Sequence, residues 1–114
     1  MAPPKKTKLK RHDTSPFRAT LKDGAYAAVN LTGATVRFHL RSVDDDVLVV
    51  EADAVVVSGA AGTVRYDWTA ADVDRVGDHL AEFQVTYSDG AVETFPSDGY
   101  HRIEFLEDLD ESLD

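Results

Sequence analysis

A period of two, recurring in short segments, constrains the fold of this chain more than any other feature. In 34–41, Val36, Phe38 and Leu40 alternate with Arg37, His39 and Arg41. In 63–68, Val64, Tyr66 and Trp68 alternate with Arg65 and Asp67, and in 79–88, Ala81, Phe83, Val85 and Tyr87 alternate with Glu82, Gln84 and Thr86. Successive side chains of a strand point to opposite faces, so each segment carries one dry face and one wet face. Strands buried on both sides, as in parallel sheets, read instead as continuous apolar runs. The alternation therefore predicts antiparallel sheets stacked on one shared core, with Phe38, Trp68, Phe83, Val85 and Tyr87 inward and Arg37, Arg65 and Glu82 outward.

Less regular strands complete the set. Phe17, Ala19 and Leu21 share one side of 16–21, ahead of a turn at Lys22-Asp23-Gly24; Val47–Val50 and Val55–Val57 are β-branched runs flanking Glu51-Ala52-Asp53. Ser58-Gly59-Ala60-Ala61-Gly62 turns the chain into the Thr63 strand, and Asp89-Gly90 between Tyr87 and Val92 is a strong hairpin signal. Residues 100–106 form a last strand, or continue the preceding one after Pro96-Ser97-Asp98-Gly99. Thr69-Ala70-Ala71-Asp72 has the spacing of a capping box, and Gly77 can end a turn begun there, so a short helical turn is expected over 70–76. With 114 residues there is room for one core. Roughly seven strands with frequent turns make the predicted fold all-β, an immunoglobulin-like antiparallel β-sandwich with one short helical turn.

Charge divides the chain into three regions. Lys5, Lys6, Lys8, Lys10 and Arg11 precede every acid; from Asp13 onward only seven bases face all 21 acids. Residues 1–12 read as a flexible basic arm, which either threads onto a neighbouring acidic surface or solubilises the terminus. Residues 13–106 form the sandwich, and 107–114 an acidic tail with Leu109 and Leu113 interleaved among its acids. The partner-binding candidates are therefore Lys5, Lys6, Lys8, Lys10, Arg11 and Leu109. Opposite charge at the two ends favours self-association in a symmetric assembly. The acid-rich, lysine-poor sandwich is also what molar salt demands, because self-repulsion is screened when the Debye length falls to about 3 Å at 1 M.

Several kinds of chemistry have no support in the residues. No cysteine is present, which removes disulfides, thiolate nucleophiles and cysteine-ligated zinc. His12, His39, His79 and His101 form no short-spaced pair, and Asp44-Asp45-Asp46 lacks the alternating ligands and glycine of a calcium loop, so no metal site is expected. No nucleophile motif or phosphate cradle is visible, so no catalytic or cofactor-binding residue is assigned and no enzyme is expected. The acidic sandwich disfavours specific nucleic-acid binding. Apolar stretches are too short to span a bilayer, and the N-terminus lacks the apolar segment of a secretory signal, so a non-membrane, non-exported protein is expected.

The motifs also resemble a known family. His12-Asp13-Thr14-Ser15-Pro16, the turn at Asp23-Gly24 and the run Val29-Asn30-Leu31-Thr32-Gly33-Ala34-Thr35-Val36-Arg37-Phe38 are similar to the opening of the immunoglobulin-like N-terminal domain of phage baseplate upper proteins. Gly62-Thr63-Val64-Arg65-Tyr66-Asp67-Trp68, Ala81-Glu82-Phe83-Gln84-Val85-Thr86-Tyr87 and Thr94-Phe95-Pro96-Ser97-Asp98-Gly99-Tyr100 continue it in order, to about Phe105. Asn30 stands where the family has aspartate, and the resemblance spans only the N-terminal domain of the larger family members. The resemblance implies a non-enzymatic virion structural or adaptor protein of a tailed virus, with the tail or baseplate favoured over the head and the place in the particle left open. It would be made in the host cytoplasm and would contact other virion proteins. With the acidic composition it suggests a virus or provirus of a halophilic archaeon. The alternatives are a host-surface or carbohydrate-binding attachment module and a capsid decoration protein.

Overall fold

The computed structural model describes residues 6–96 and 99–109. Among these, nine strands run β1 (Lys6–Lys10), β2 (Phe17–Thr20), β3 (Thr35–Ser42), β4 (Val47–Asp53), β5 (Val55–Ser58), β6 (Thr63–Tyr66), β7 (Gly77–Thr86), β8 (Val92–Phe95) and β9 (His101–Leu106). The larger sheet has the order β1-β9-β7-β3-β4, with β8 also on β7; the smaller has the order β2-β6-β5. They pack face to face as the expected all-β, immunoglobulin-like sandwich.

Alternation decides which side chains fill the space between the sheets. Phe38, Phe83, Val85 and Leu40 from the larger sheet meet Phe17, Val64 and Tyr66 from the smaller one, all buried. Phe38 and Tyr66 stack across the core with ring centroids 4.5 Å apart, and Trp68 stands edge-on to both, at 5.5 and 5.1 Å. Rings in these offset and edge-to-face arrangements add to the stabilisation from area burial alone. Tyr87 departs from the expected pattern. It lies just beyond β7, half-buried, with its hydroxyl donating to Glu93 Oε1 at 2.8 Å. A phenol at a strand end satisfies its oxygen at the rim more readily than in a dry core.

The hairpin at Asp89-Gly90 joins β7 to β8 in antiparallel register. β8 and β9 lie end to end along one side of β7, β8 beside Phe83–Thr86 and β9 beside Gly77–Ala81, so the final strand does continue the line of the preceding one. β4 runs through Glu51-Ala52-Asp53, which in sequence looks like a break between two β-branched runs. Ala54 then moves the chain to the other sheet, its N–H donating to Val36 O at 2.9 Å.

Three expectations need correction. The larger sheet is mixed, because β1 pairs parallel to β9. For the same reason the segment expected to be a flexible arm supplies a strand of the sandwich. In K-T-K-L-K, Thr7 and Leu9 lie in register with the buried Ile103 and Phe105, while Lys6, Lys8 and Lys10 face outward. That short alternation is a strand signal that the lysines and the terminal position obscured.

Nor is 70–76 helical. The capping bonds form, Thr69 N–H to Asp72 Oδ2 at 2.9 Å and Asp72 N–H to Thr69 Oγ1 at 3.3 Å. However, the Asp72 carbonyl accepts from Arg75 Nε at 2.8 Å, and the Val73 carbonyl accepts from His12 N–H at 2.9 Å. These carbonyls would receive the N–H groups of Val76 and Gly77 in a continuing helix. With both engaged elsewhere, the segment remains a series of turns pinned by the buried Val73.

Candidate interaction surfaces

The charged ends meet at one edge of the larger sheet. Parallel pairing with β9 places Lys6 Nζ 3.0 Å from Asp78 Oδ1 and 3.1 Å from Glu104 Oε1. Arg11 donates through Nε and Nη2 to Asp74 Oδ1, at 2.9 and 2.8 Å, and through Nη1 to Glu107 Oε1 at 3.0 Å. Its guanidinium is held more firmly protonated, first by the bond to Asp74 and then by that to Glu107. His12 sits beside Asp108 at 2.8 Å, and that hydrogen bond raises its pKa. Basic and acidic ends thus attract each other within one chain, through exposed pairs that contribute modestly to stability.

Of the expected partner-binding residues, Lys6, Lys8, Lys10 and Arg11 come together on this edge. Lys8 and Lys10 project from the outer face and make no ion pair among the described residues. Leu109 is 95% exposed. Lys5 lies outside the described residues, as does Leu113.

A second surface is not foreshadowed by any sequence motif. The outer faces of β3, β4 and β7 form an open groove of about 540 Å³ lined by His39, Arg41, Asp46, Leu48, Glu51, Leu80, Glu82 and Tyr100. Tyr100 and Leu48 are 51% and 40% exposed. His39 Nδ1 lies 3.5 Å from Glu82 Oε1, and Arg41 Nη1 donates to the Asp46 carbonyl at 3.1 Å. Strand parity places His39, Arg41, Leu80 and Glu82 on one face; the contribution of Leu48 depends on a register shift in β4 between the partners of Leu40 and Arg41. Asp44-Asp45-Asp46 forms the exposed turn before β4. Among the described residues, no group of three or more histidine or acidic side chains is placed to hold a metal ion.

One histidine lies inside the fold and another, His101, is half-buried against the core. His79 is 2% exposed, packs edge-on to Phe105 at 5.1 Å and pairs through Nδ1 with Gly77 O at 3.0 Å, which makes Nδ1 the protonated nitrogen. It has the parity of Ala81 and Phe83, so the alternation itself placed it inward. Burial lowers the pKa of His79, helped by Arg75 and opposed by the Gly77 carbonyl, Asp44 and Asp78. Burial also lowers that of His101, which stands edge-on to Phe17 at 5.5 Å.

A depressed folded-state pKa means that the unfolded chain takes up the proton first as pH falls. The stability present above the ordinary imidazole value of 6.5 should therefore decline as pH drops below it, towards the folded-state values. His12, with its raised pKa, contributes in the opposite sense, its share being lost as pH rises through the folded value. Denaturant melts between pH 7 and pH 5 should show a shallower decline for His79→Phe than for the parent chain. An equal slope would mean that His79 is protonated without cost in the fold.

Known domains share this architecture. The structure is similar to the N-terminal domain of ORF48 from phage TP901-1, with a TM-score of 0.63 at 17% identity, covering 94% of this chain and 90% of that one. It is also similar to CopC from Methylosinus trichosporium OB3b, with a TM-score of 0.54 at 17% identity and coverage of 92% and 87%. At such identities both likenesses concern the fold. No curated protein matches the chain by sequence. The profile of the BppU N-terminal domain matches residues 8–95, from within β1 to the end of β8. With most of its length matched, the chain belongs to the BppU N-terminal domain family, the phage baseplate domains whose motifs its sequence resembles.

Proposed function

We propose that this protein is a non-enzymatic structural or adaptor component of a tailed-virus particle, in its tail or baseplate. It is made in the host cytoplasm and joins other virion proteins through sheet faces, sheet edges and chain ends. Membership of the BppU N-terminal domain family over residues 8–95 carries this reading. The surfaces support it: a sandwich held rigid by an aromatic core presents a basic edge, a mixed groove and the exposed side chains of Val43, Val47, Val92 and Leu109. Charged groups beside scattered apolar ones suit contacts between folded subunits.

Proteomic analysis of purified particles, followed by density for the chain in a reconstruction, tests the reading. The expected result is a stoichiometric subunit between tail or baseplate neighbours; absence from washed particles would sink it. The groove beside Tyr100 favours a second reading, in which the domain attaches to a host surface glycan, since an exposed ring flanked by Arg41, Glu51 and Glu82 offers both stacking and hydrogen bonding. A peripheral position in the particle, together with glycan binding that Tyr100→Ala abolishes, would select it.

The excess of acids after residue 12 supports an origin in concentrated salt. Thermal stability should then rise as potassium chloride is increased from millimolar to molar concentration, because carboxylate repulsion is screened. A melting temperature insensitive to salt would remove that inference.

A further inference from the structure

The two edges of the larger sheet differ in charge. At one edge β1 carries Lys6, Lys8 and Lys10 on the outer face and Thr7 and Leu9 towards the core. At the other, β4 carries Glu51 and Asp53 outward, in register with His39 and Arg37, and Val50 and Ala52 towards the core. Glu51 and Asp53 keep 56% and 87% of their side-chain surface exposed although Arg37 is nearby. Among the described residues neither edge has a strand on its free side.

Strand direction makes these edges compatible. β3 is antiparallel to both β7 and β4, so β4 runs with β7. β9 is antiparallel to β7, and β1 is parallel to β9, so β1 runs against β7. When a second copy stands beside the first in the same orientation, β4 of one meets β1 of the next antiparallel, with their outer faces on the same side. Had β1 been antiparallel to β9, the same arrangement would bring these edges together parallel, the slightly weaker pairing.

We infer that β4 and β1 form a head-to-tail interface between copies of this chain, continuing the larger sheet from one copy to the next. This deepens the virion reading, on which it rests, by naming a second copy as one of the partners. Of the registers that keep β1 wholly beside β4, the one that forms two opposite-charge pairs sets Lys8 opposite Glu51, Lys6 opposite Asp53, Leu9 opposite Val50 and Thr7 opposite Ala52, with Lys10 diagonal to Glu51. Opposite charges meet on the outer face and apolar groups on the inner one, the two kinds of cross-strand pair that stabilise sheets. Charged edges ordinarily prevent edge-to-edge association. Here like charge opposes β1–β1 and β4–β4 pairing, yet permits β1–β4 pairing, so the guard also selects a heterologous contact. Such a contact closes into a ring or extends as a filament.

Sedimentation velocity of the full chain at low ionic strength tests the interface. The parent should associate with increasing concentration. The double variants K8E/K10E and E51K/D53K should each associate roughly tenfold or more weakly, while an equimolar mixture of the two should associate again, because each then offers the edge the other lacks. A parent that stays monomeric, a single variant that associates like the parent, or a mixture of folded variants that stays monomeric would overturn the inference.

If circular dichroism shows either variant unfolded, the chain carrying both Lys8→Cys and Glu51→Cys gives an independent measurement. The protein has no cysteine of its own, and opposed antiparallel residues lie about 4.5–5.5 Å apart at Cα, within disulfide reach. Oxidation should yield a ladder of linked copies. Monomer alone, or equal linking by Lys8→Cys without its partner cysteine, would overturn the interface. Neither failure touches the virion reading, which depends on the presence of the chain in particles.

Discussion

Replacing Phe83 by alanine is expected to destabilise the domain by about 3–5 kcal/mol, the cost of removing a fully buried phenylalanine from a core that cannot collapse around the void. Phe83 has no exposed surface and lies at the centre of the sandwich, stacked on Phe17 at 5.9 Å with planes 5° apart and tilted against Phe38 at 5.1 Å. Its loss uncouples the two sheets where their inner faces meet, and it lies in the middle of β7, between β3 and β8. Typical domains have about 5–15 kcal/mol in total, and the change corresponds to roughly 10–20 °C in melting temperature for a chain of this size. Gln84→Ala, one residue along on the opposite face, should shift stability by no more than about 0.5 kcal/mol. Equal effects at the two positions in denaturant melts would show the face assignment of β7 to be wrong.

The second large effect is expected at Gly62. Its φ of +69° is a left-handed conformation that disfavours L side chains, and a Cβ there would come within 2.6 Å of Val29 O and 3.0 Å of Leu21 O. Both contacts are with backbone in a bonded segment: Leu21 N–H donates to Gly62 O at 2.8 Å, and Val29 N–H donates to Leu21 O at 2.9 Å. The obstructing atoms therefore cannot withdraw without straining the bonds that tie the end of β2 to the β5–β6 turn. Left-handed geometry costs about 1–2 kcal/mol and overpacking about 1–3 more, giving roughly 2–5 kcal/mol for Gly62→Ala. Gly90 is a control, because its φ of +89° is also left-handed while no atom lies within 4 Å of a Cβ built there. Gly90→Ala should cost only the conformational part. Equal losses at the two glycines would mean that the Leu21–Val29 segment yields freely.

The parts of the fold legible in the sequence are those set by local interactions. The alternations in β3, β6 and β7 show which residues face inward because side-chain direction in a strand depends only on parity, and the buried Phe38, Val64, Phe83 and Val85 agree with it. The hairpin at Asp89-Gly90 was equally legible, since a two-strand turn is specified by the residues inside it. The same parity, extended two residues back from Ala81, is the signal that was missed for His79, a polar residue on an apolar face, and for the outward Leu80 that helps form the groove.

The candidate surfaces were legible only as a set of charges. That the basic segment joins β9, that it does so in parallel, and that Lys6 and Arg11 meet Asp78, Glu104, Asp74 and Glu107 are consequences of contacts between residues far apart in the chain. No local pattern fixes which strand an edge will join, or in which direction. The turns at 69–76 make the same point in reverse: the local capping signal formed its bonds, and donors from Arg75 and from the distant His12 took the carbonyls that a helix needs. Sequence alone determined the faces of the strands, because those depend on neighbours along the chain; tertiary structure decided the pairing of the edges, because the backbone groups at an edge are alike in every sequence and only the packed core determines which of them meet.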